Sequence, residues 1–194
     1  MSYSGDDGRV TALALAARGG DRAAVEAFIG ATQHGVVRFV GHLTGAADAD
    51  DVAQETFLRV MRALPSFEGR SSARTWLLSI ARRTAIDFLR SQARRPRAAS
   101  LEDWSAAVDS SRYPAAARFD EHLVINQLIA RLDADRREAF VATQVLRLSY
   151  AEAAEVIGCP IGTIRSRVAR ARDDLHAAWA ADEQPTQRRH LRAV

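Results

Sequence analysis

Apolar residues recur along most of this chain at spacings of three and four, the period of a helix with one buried face. The stretches 10–18, 21–43, 49–64 and 72–95 read this way, with breaks at Gly19-Gly20, Thr44-Gly45 and Pro65 to Ser71. The pattern lapses over 96–118, which is rich in Ala, Ser and Asp and interrupted by Pro114, and that segment reads as a linker. It resumes over 119–132, 134–146, 150–157 and 161–180, and a polar tail follows from Asp182. β-branched alternation is absent, and Ala, Leu, Arg and Glu prevail. The predicted fold class is all-α: two helical domains, 9–95 and 119–181, joined by a flexible linker at 96–118, with 182–194 a frayed tail.

In the 49–64 helix, Ala53, Phe57, Val60, Met61 and Leu64 make the core stripe. Asp51, Gln54, Glu55, Leu58 and Arg62 fall on another face, with Arg59 at its edge. A leucine among polar neighbours suits a docking patch, and equally an ordinary solvated face. The 72–95 helix turns Leu77, Ile80, Ala81, Thr84 and Phe88 inward and Arg83, Asp87, Arg90 and Arg94 outward. Intrahelical pairing with arginine is a sufficient reason for Asp87. Arg74, Arg82, Arg95 and Arg97 add charge, and Trp76 is either core or the edge of a surface on which bases stack. The preceding loop, Pro65-Ser66-Phe67-Glu68-Gly69-Arg70-Ser71-Ser72, holds a glycine and a capping serine; it either receives an extruded base or only joins two helices.

The second domain has a sharper signature. Ser149-Tyr150-Ala151-Glu152 is a capping-box pattern, Gly158 ends the short helix, and Pro160 favours a fresh start. The next helix sets Ile161, Ile164, Val168, Ala171 and Leu175 on one stripe. Thr163, Ser166, Arg167 and Arg170 share another face, flanked by Arg165 and Arg172. A short helix, a tight turn and a helix with a basic, hydroxyl-bearing outer face make a helix-turn-helix, whose second helix can read the DNA major groove. Cys159, in the turn, reads as a small packing residue, because no second cysteine exists to resolve an oxidised one.

Charge sharpens the picture. All 27 basic residues are Arg, and the formal net charge is only +3. GC-rich codon use is the simplest account of Arg over Lys, but it leaves the placement unexplained. Residues 1–58 sum to −4, 59–97 to +8, 98–130 to −3, and 160–194 to +3. Two separated basic stretches suit a long polyanion touched twice. One cysteine excludes an intrachain disulfide scaffold and a Cys-based zinc finger, and no metal or cofactor site is expected. No cationic leader or uncharged run of about 18 residues is apparent, so a cytoplasmic protein without membrane insertion is expected. Nucleophile–base pairing, a phosphate loop and metal-ligand spacing are absent, which argues against an enzyme.

These residues together resemble a bacterial RNA polymerase sigma factor of the extracytoplasmic-function (ECF) type, in the sigma-70 family. Asp51-Val52-Ala53-Gln54-Glu55-Thr56-Phe57-Leu58-Arg59 is similar to the family's stretch that docks on the polymerase β′ clamp helices. The run from Ser72 to Arg83 resembles its promoter-melting helix, and the run from Gly162 to Arg172 its −35 recognition helix. Arg83 departs from the family's frequent Asn, and Ala169 from an aromatic found in some members, which bears on promoter sequence.

The resemblance implies that 9–95 (sigma region two) binds polymerase through Asp51, Gln54, Glu55, Leu58, Arg59 and Arg62. The same domain would melt the −10 element through Phe67, Arg70, Ser71, Arg74, Trp76, Arg82, Arg83, Asp87, Arg90 and Arg94. It implies that 119–181 (region four) reads the −35 duplex through Thr163, Arg165, Ser166, Arg167, Arg170 and Arg172. Glu102, Asp103 and Asp109 of the linker would mimic nucleic acid inside the polymerase. Implied partners are core RNA polymerase (β′ clamp helices and β flap), promoter DNA, and an anti-sigma factor of a kind often membrane-anchored or zinc-bearing. Two other readings stand beside this one. A helix-turn-helix regulator would bind an operator without polymerase, and a sigma-mimicking antagonist would bind no promoter.

Overall fold

The computed structural model describes residues 3–94 and 119–190, with side chains placed over 7–94 and 125–181; the linker expected at 96–118 lies outside the described residues. Helices α1 (Tyr3–Ala17), α2 (Arg22–Thr44), α3 (Ala49–Ala63) and α4 (Ala73–Arg94) form the first domain. The second holds α5 (Phe119–Arg131), α6 (Ala134–Phe140), α7 (Tyr150–Ile157) and α8 (Ile161–His190). The last helix runs past the break expected near residue 181, as far as His190. Instead of one helix over 134–146, α6 widens into a π-helical turn, Val141–Val145.

Local chemistry sets the helix ends. Asp21 caps α2, its carboxylate accepting from the N–H groups of Ala23 at 2.9 Å and Ala24 at 3.3 Å. Ser72 caps α4 through the Thr75 N–H at 3.1 Å, and Thr11 of α1 accepts from the Ala73 N–H at 3.0 Å. The α2–α3 packing is close: a side chain at Gly41 would meet the Ala49 Cβ at 3.3 Å. Phe28, Phe39, Val36, Val60 and Leu77 fill the first core, each at most 1% exposed. The buried hydroxyls of Thr32, Thr56 and Thr143 each donate to the carbonyl one turn back at 2.7–2.8 Å, so none is stranded in the core.

The two domains pack against each other. Helix α4 rests on α7, and α2 meets α6 and the π turn. The shared seam includes Leu77 and Leu78 of α4, Val36 of α2, and Val145 and Leu146 of the second domain. The sequence, read as two domains on a tether, leaves their arrangement open.

Candidate nucleic-acid interface

The helix-turn-helix forms as its local code directs. Ser149 accepts from the Glu152 N–H at 3.2 Å while the Glu152 carboxylate takes the Ser149 N–H at 2.8 Å. Gly158 adopts the left-handed conformation, φ 74° and ψ 41°, that ends α7. Ile164, Val168 and Ala171 are buried and Leu175 half-buried, whereas Ile161, expected inside, is 40% exposed because it sits at the first turn beyond the core. Opposite them, Arg165, Ser166 and Arg170 are exposed on the outer face of α8 and Thr163 is half-buried. Arg165 and Arg170 pair with no carboxylate among the described residues.

Arg167 and Arg172 are placed differently. Arg167 ion-pairs with Asp135 of α6 and leans on the Cys159 sulfur, and Arg172 donates to the Gln144 amide oxygen at 3.0 Å. A companion pair, Arg136–Asp174 at 2.6 Å, ties the same helices. These contacts tie α8 to α6 and the π turn, and they engage Arg167 within its own domain.

In the first domain the 64–72 loop is clasped from α1. Arg18 donates to the Phe67 carbonyl at 3.1 Å, and Leu15 lies 3.6 Å from where a side chain would begin at Gly69, whose φ is +72°. Phe67, expected on the nucleic-acid face, is 4% exposed and packs on Trp76 with ring centroids 4.7 Å apart. Trp76 offers a large apolar partner within reach, so the Phe67 ring, which the resemblance places among the −10 contacts, is buried against it. Trp76 is thereby a half-buried packing residue with one edge open. Arg70 is exposed beside Glu68, and Ser71 is half-buried at the loop's end.

Helix α4 divides its arginines. Arg83, Arg90 and Arg94 are exposed along one side. Arg74 and Arg82 face the second domain instead. Arg74 ion-pairs with Asp7 at 3.5 Å and donates to the Leu146 carbonyl. Arg82 meets the Glu138 carboxylate at 2.5 and 3.1 Å, with Glu138 6% exposed. Asp87 does not pair within its helix: Arg59 of α3 reaches it at 2.8 Å while also holding Glu55 at 2.9 Å. Arg59 therefore straps α3 to α4, and its guanidinium is held further above the ordinary range by those two carboxylates. Asp51, Gln54, Leu58 and Arg62 are exposed on α3, with Leu58 48% exposed.

Two features carried no clear sequence signal. An apolar groove of about 570 Å³ opens between α5, α6 and α8, lined by Ile125, Leu128, Phe140, Leu175 and Trp179 among others. His42 lies half-buried where α2 meets α6; burial, then Arg38, then Arg137 push it below its ordinary value. Arg137 reaches the Leu132 carbonyl at 2.9 Å and that of His42 at 3.5 Å, bridging the domains. Among the described residues, no helix is long and apolar enough to cross a membrane.

Comparison with known proteins places these features in a family context. The Sigma-70 region 2 model matches residues 28–95, and the Sigma-70 region 4 model matches residues 122–175. The ECF RNA polymerase sigma factor SigC of Mycobacterium tuberculosis is 51% identical over 178 residues, 92% of this chain and 95% of the relative. The ECF RNA polymerase sigma-E factor of Escherichia coli is 35% identical over 165 residues, 80% of this chain and 86% of that one. A solved structure of the sigma factor RpoE in complex with the anti-sigma factor NepR, from Bartonella quintana, matches with TM-score 0.67 at 28% identity, covering 81% of this chain and 97% of that one. The structure of CnrH in complex with the cytosolic domain of CnrY matches with TM-score 0.68 at 26% identity, covering 89% and 97%.

Proposed function

Because this chain belongs to the sigma-70 family as an ECF-type sigma factor, directing promoter-specific transcription initiation by RNA polymerase, we propose how its residues divide that work. The domain at 9–95 docks core polymerase and melts the −10 element; that at 119–181 reads the −35 duplex; 96–118 connects them. Arg165, Ser166 and Arg170 contact base edges and phosphates, with Thr163 beside them, while Arg167 and Arg172 hold the helix at its docking angle. Arg83, Arg90 and Arg94 run along phosphates beside the melted strand, and the Arg70–Ser71 loop over Trp76 and Phe67 receives a flipped base. Asp51, Gln54, Leu58 and Arg62 meet the β′ clamp helices, and Glu55 and Arg59 brace that patch. The apolar groove ending at Trp179 suits the β flap.

The observation that carries this reading is the division within α8. Ile164, Val168 and Ala171 of its inner stripe are buried, while two exposed arginines and a serine share the outer face. That geometry is suited to major-groove readout. The protein is a non-enzymatic factor acting in the cytoplasm: polymerase supplies the chemistry, and this chain supplies binding energy that offsets melting. In the closed arrangement Arg74 and Arg82 are occupied by the second domain, so their promoter contacts follow domain separation. An anti-sigma partner is supported by the Bartonella relative's complex.

Run-off transcription on promoter fragments tests the reading. Discrete promoter-specific transcripts that need both this chain and core polymerase are expected. Tight operator binding without polymerase would instead support a free-standing regulator.

A further inference from the structure

Where the domains meet, a pocket of about 240 Å³ is walled by Val10 of α1, Val36 of α2, Leu77 of α4 and Val145 of the second domain. Arg38, Arg74 and Arg147 line the same pocket, together with His34 and Asp7. Asp7 offsets Arg74 through their 3.5 Å ion pair. The surplus positive charge therefore comes from Arg38 and Arg147, both exposed, neither paired with a carboxylate among the described residues.

The backbone beneath Arg147 is unusual. Arg147 has φ +61°, a left-handed conformation that favours glycine. The Leu148 N–H closes the turn onto the Ala142 carbonyl at 3.0 Å, just after the π segment. The Leu146 carbonyl is at the same time held by Arg74. The turn is thus pinned to the first domain, and a guanidinium stands where a strain-free glycine would serve the turn alone. Strained backbone and π segments both concentrate at functional sites.

We propose that this pocket binds a small phosphorylated organic molecule. Its phosphate would lie between Arg38 and Arg147, whose planar forks match phosphate oxygens. Its apolar body would lie on Val10, Val36, Leu77 and Val145. The volume is just under the usual range for small-molecule pockets, about 300–1,000 Å³, which limits the ligand to a small one. The walls come from both domains, so such a ligand binds only the closed arrangement and favours it by mass action. The consequence for transcription, withholding Arg74 and Arg82 from DNA, rests on the sigma-factor assignment; the binding itself does not.

Titration calorimetry on the full chain tests this, with AMP and phenyl phosphate as organic probes and inorganic phosphate as the control. At least one organic phosphate is expected to bind saturably, roughly tenfold or more tighter than inorganic phosphate. Arg147→Gly and Arg38→Gln are each expected to weaken it roughly tenfold or more, the loss of a charge-assisted hydrogen bond. Arg147→Gly should not lower the melting temperature, because glycine adopts the same turn without strain, so lost binding cannot be laid to misfolding. Absence of saturable binding by both organic phosphates overturns the proposal. So does inorganic phosphate binding as tightly, or binding indifferent to both substitutions, as expected if these arginines serve DNA phosphates alone. Run-off transcription on the same preparation keeps the two readings apart. Transcripts without ligand binding overturn the pocket only, and ligand binding without transcripts overturns the sigma-factor assignment.

Discussion

One partly buried ion pair spans the contact between the domains, and its removal has a calculable effect. Arg82 meets Glu138 at 2.5 and 3.1 Å through two parallel bonds, and the two side chains are 24% and 8% exposed. Breaking a buried pair by removing one partner costs about 3–5 kcal/mol. Glu138→Gln keeps an amide oxygen able to accept one bond, and Arg82 retains some solvent, so about 2–3 kcal/mol is expected here. The cost falls only on the closed arrangement, because in an open one Arg82 is hydrated. The open-to-closed ratio should therefore rise roughly 30- to 150-fold. Energy transfer between dyes on Ser66 and Glu155, one exposed position in each domain, reads that ratio. Affinity for single-stranded −10 DNA should rise with it, since Arg74 and Arg82 are released together. Arg82→Gln completes a double-mutant cycle for the ratio. A coupling energy below about 0.5 kcal/mol, the ordinary scatter for independent sites, would refute the idea that this pair latches the domains.

Three further outcomes are expected. Arg165→Ala should cost roughly 1–3 kcal/mol in promoter binding at the base it reads, whereas Arg94→Ala should weaken all promoters alike and lower the salt slope; transcription from −35 variants at several salt concentrations separates them. Leu58→Glu places a charge on the exposed face of α3 proposed to meet the β′ clamp helices, and should weaken core polymerase binding by roughly tenfold or more, measured by anisotropy, with the melting temperature unchanged. His42 is held below its ordinary value in the folded chain by burial, Arg38 and Arg137. The unfolded chain therefore takes up the proton first, and stability is full above about pH 6.5 and lost as pH falls below it. That acid slope in thermal denaturation should shrink in His42→Gln, and an unchanged slope would place the titrating group elsewhere.

What was legible in the sequence was the code that closes over a few residues. The Ser149–Glu152 box, Gly158 and the stripe of Ile164, Val168 and Ala171 each need only a neighbour one turn away, so spacing alone predicts the helix-turn-helix. What escaped was decided by partners distant along the chain. Arg82 and Arg83 are adjacent and chemically identical, yet one is bound to Glu138 and the other is exposed. Nothing in the periodicity of α4 separates them, because Glu138 lies beyond the linker. Asp87 had arginines at helical spacing on both sides, and spacing favoured those; Arg59 wins because Glu55, one turn back on its own helix, already aims it across the gap. The left-handed turn at Arg147 bears no glycine, so its usual signal is missing. The +8 of residues 59–97 is accordingly not one basic face. Arg59 braces two helices, Arg74 and Arg82 hold the second domain, and Arg83, Arg90 and Arg94 lie on the exposed side of α4. Among the described arginines of this segment, Arg74 and Arg82 are the two taken up by the second domain. A polyanion therefore meets Arg62, Arg70, Arg83, Arg90 and Arg94 in the closed molecule and gains Arg74 and Arg82 once the domains part.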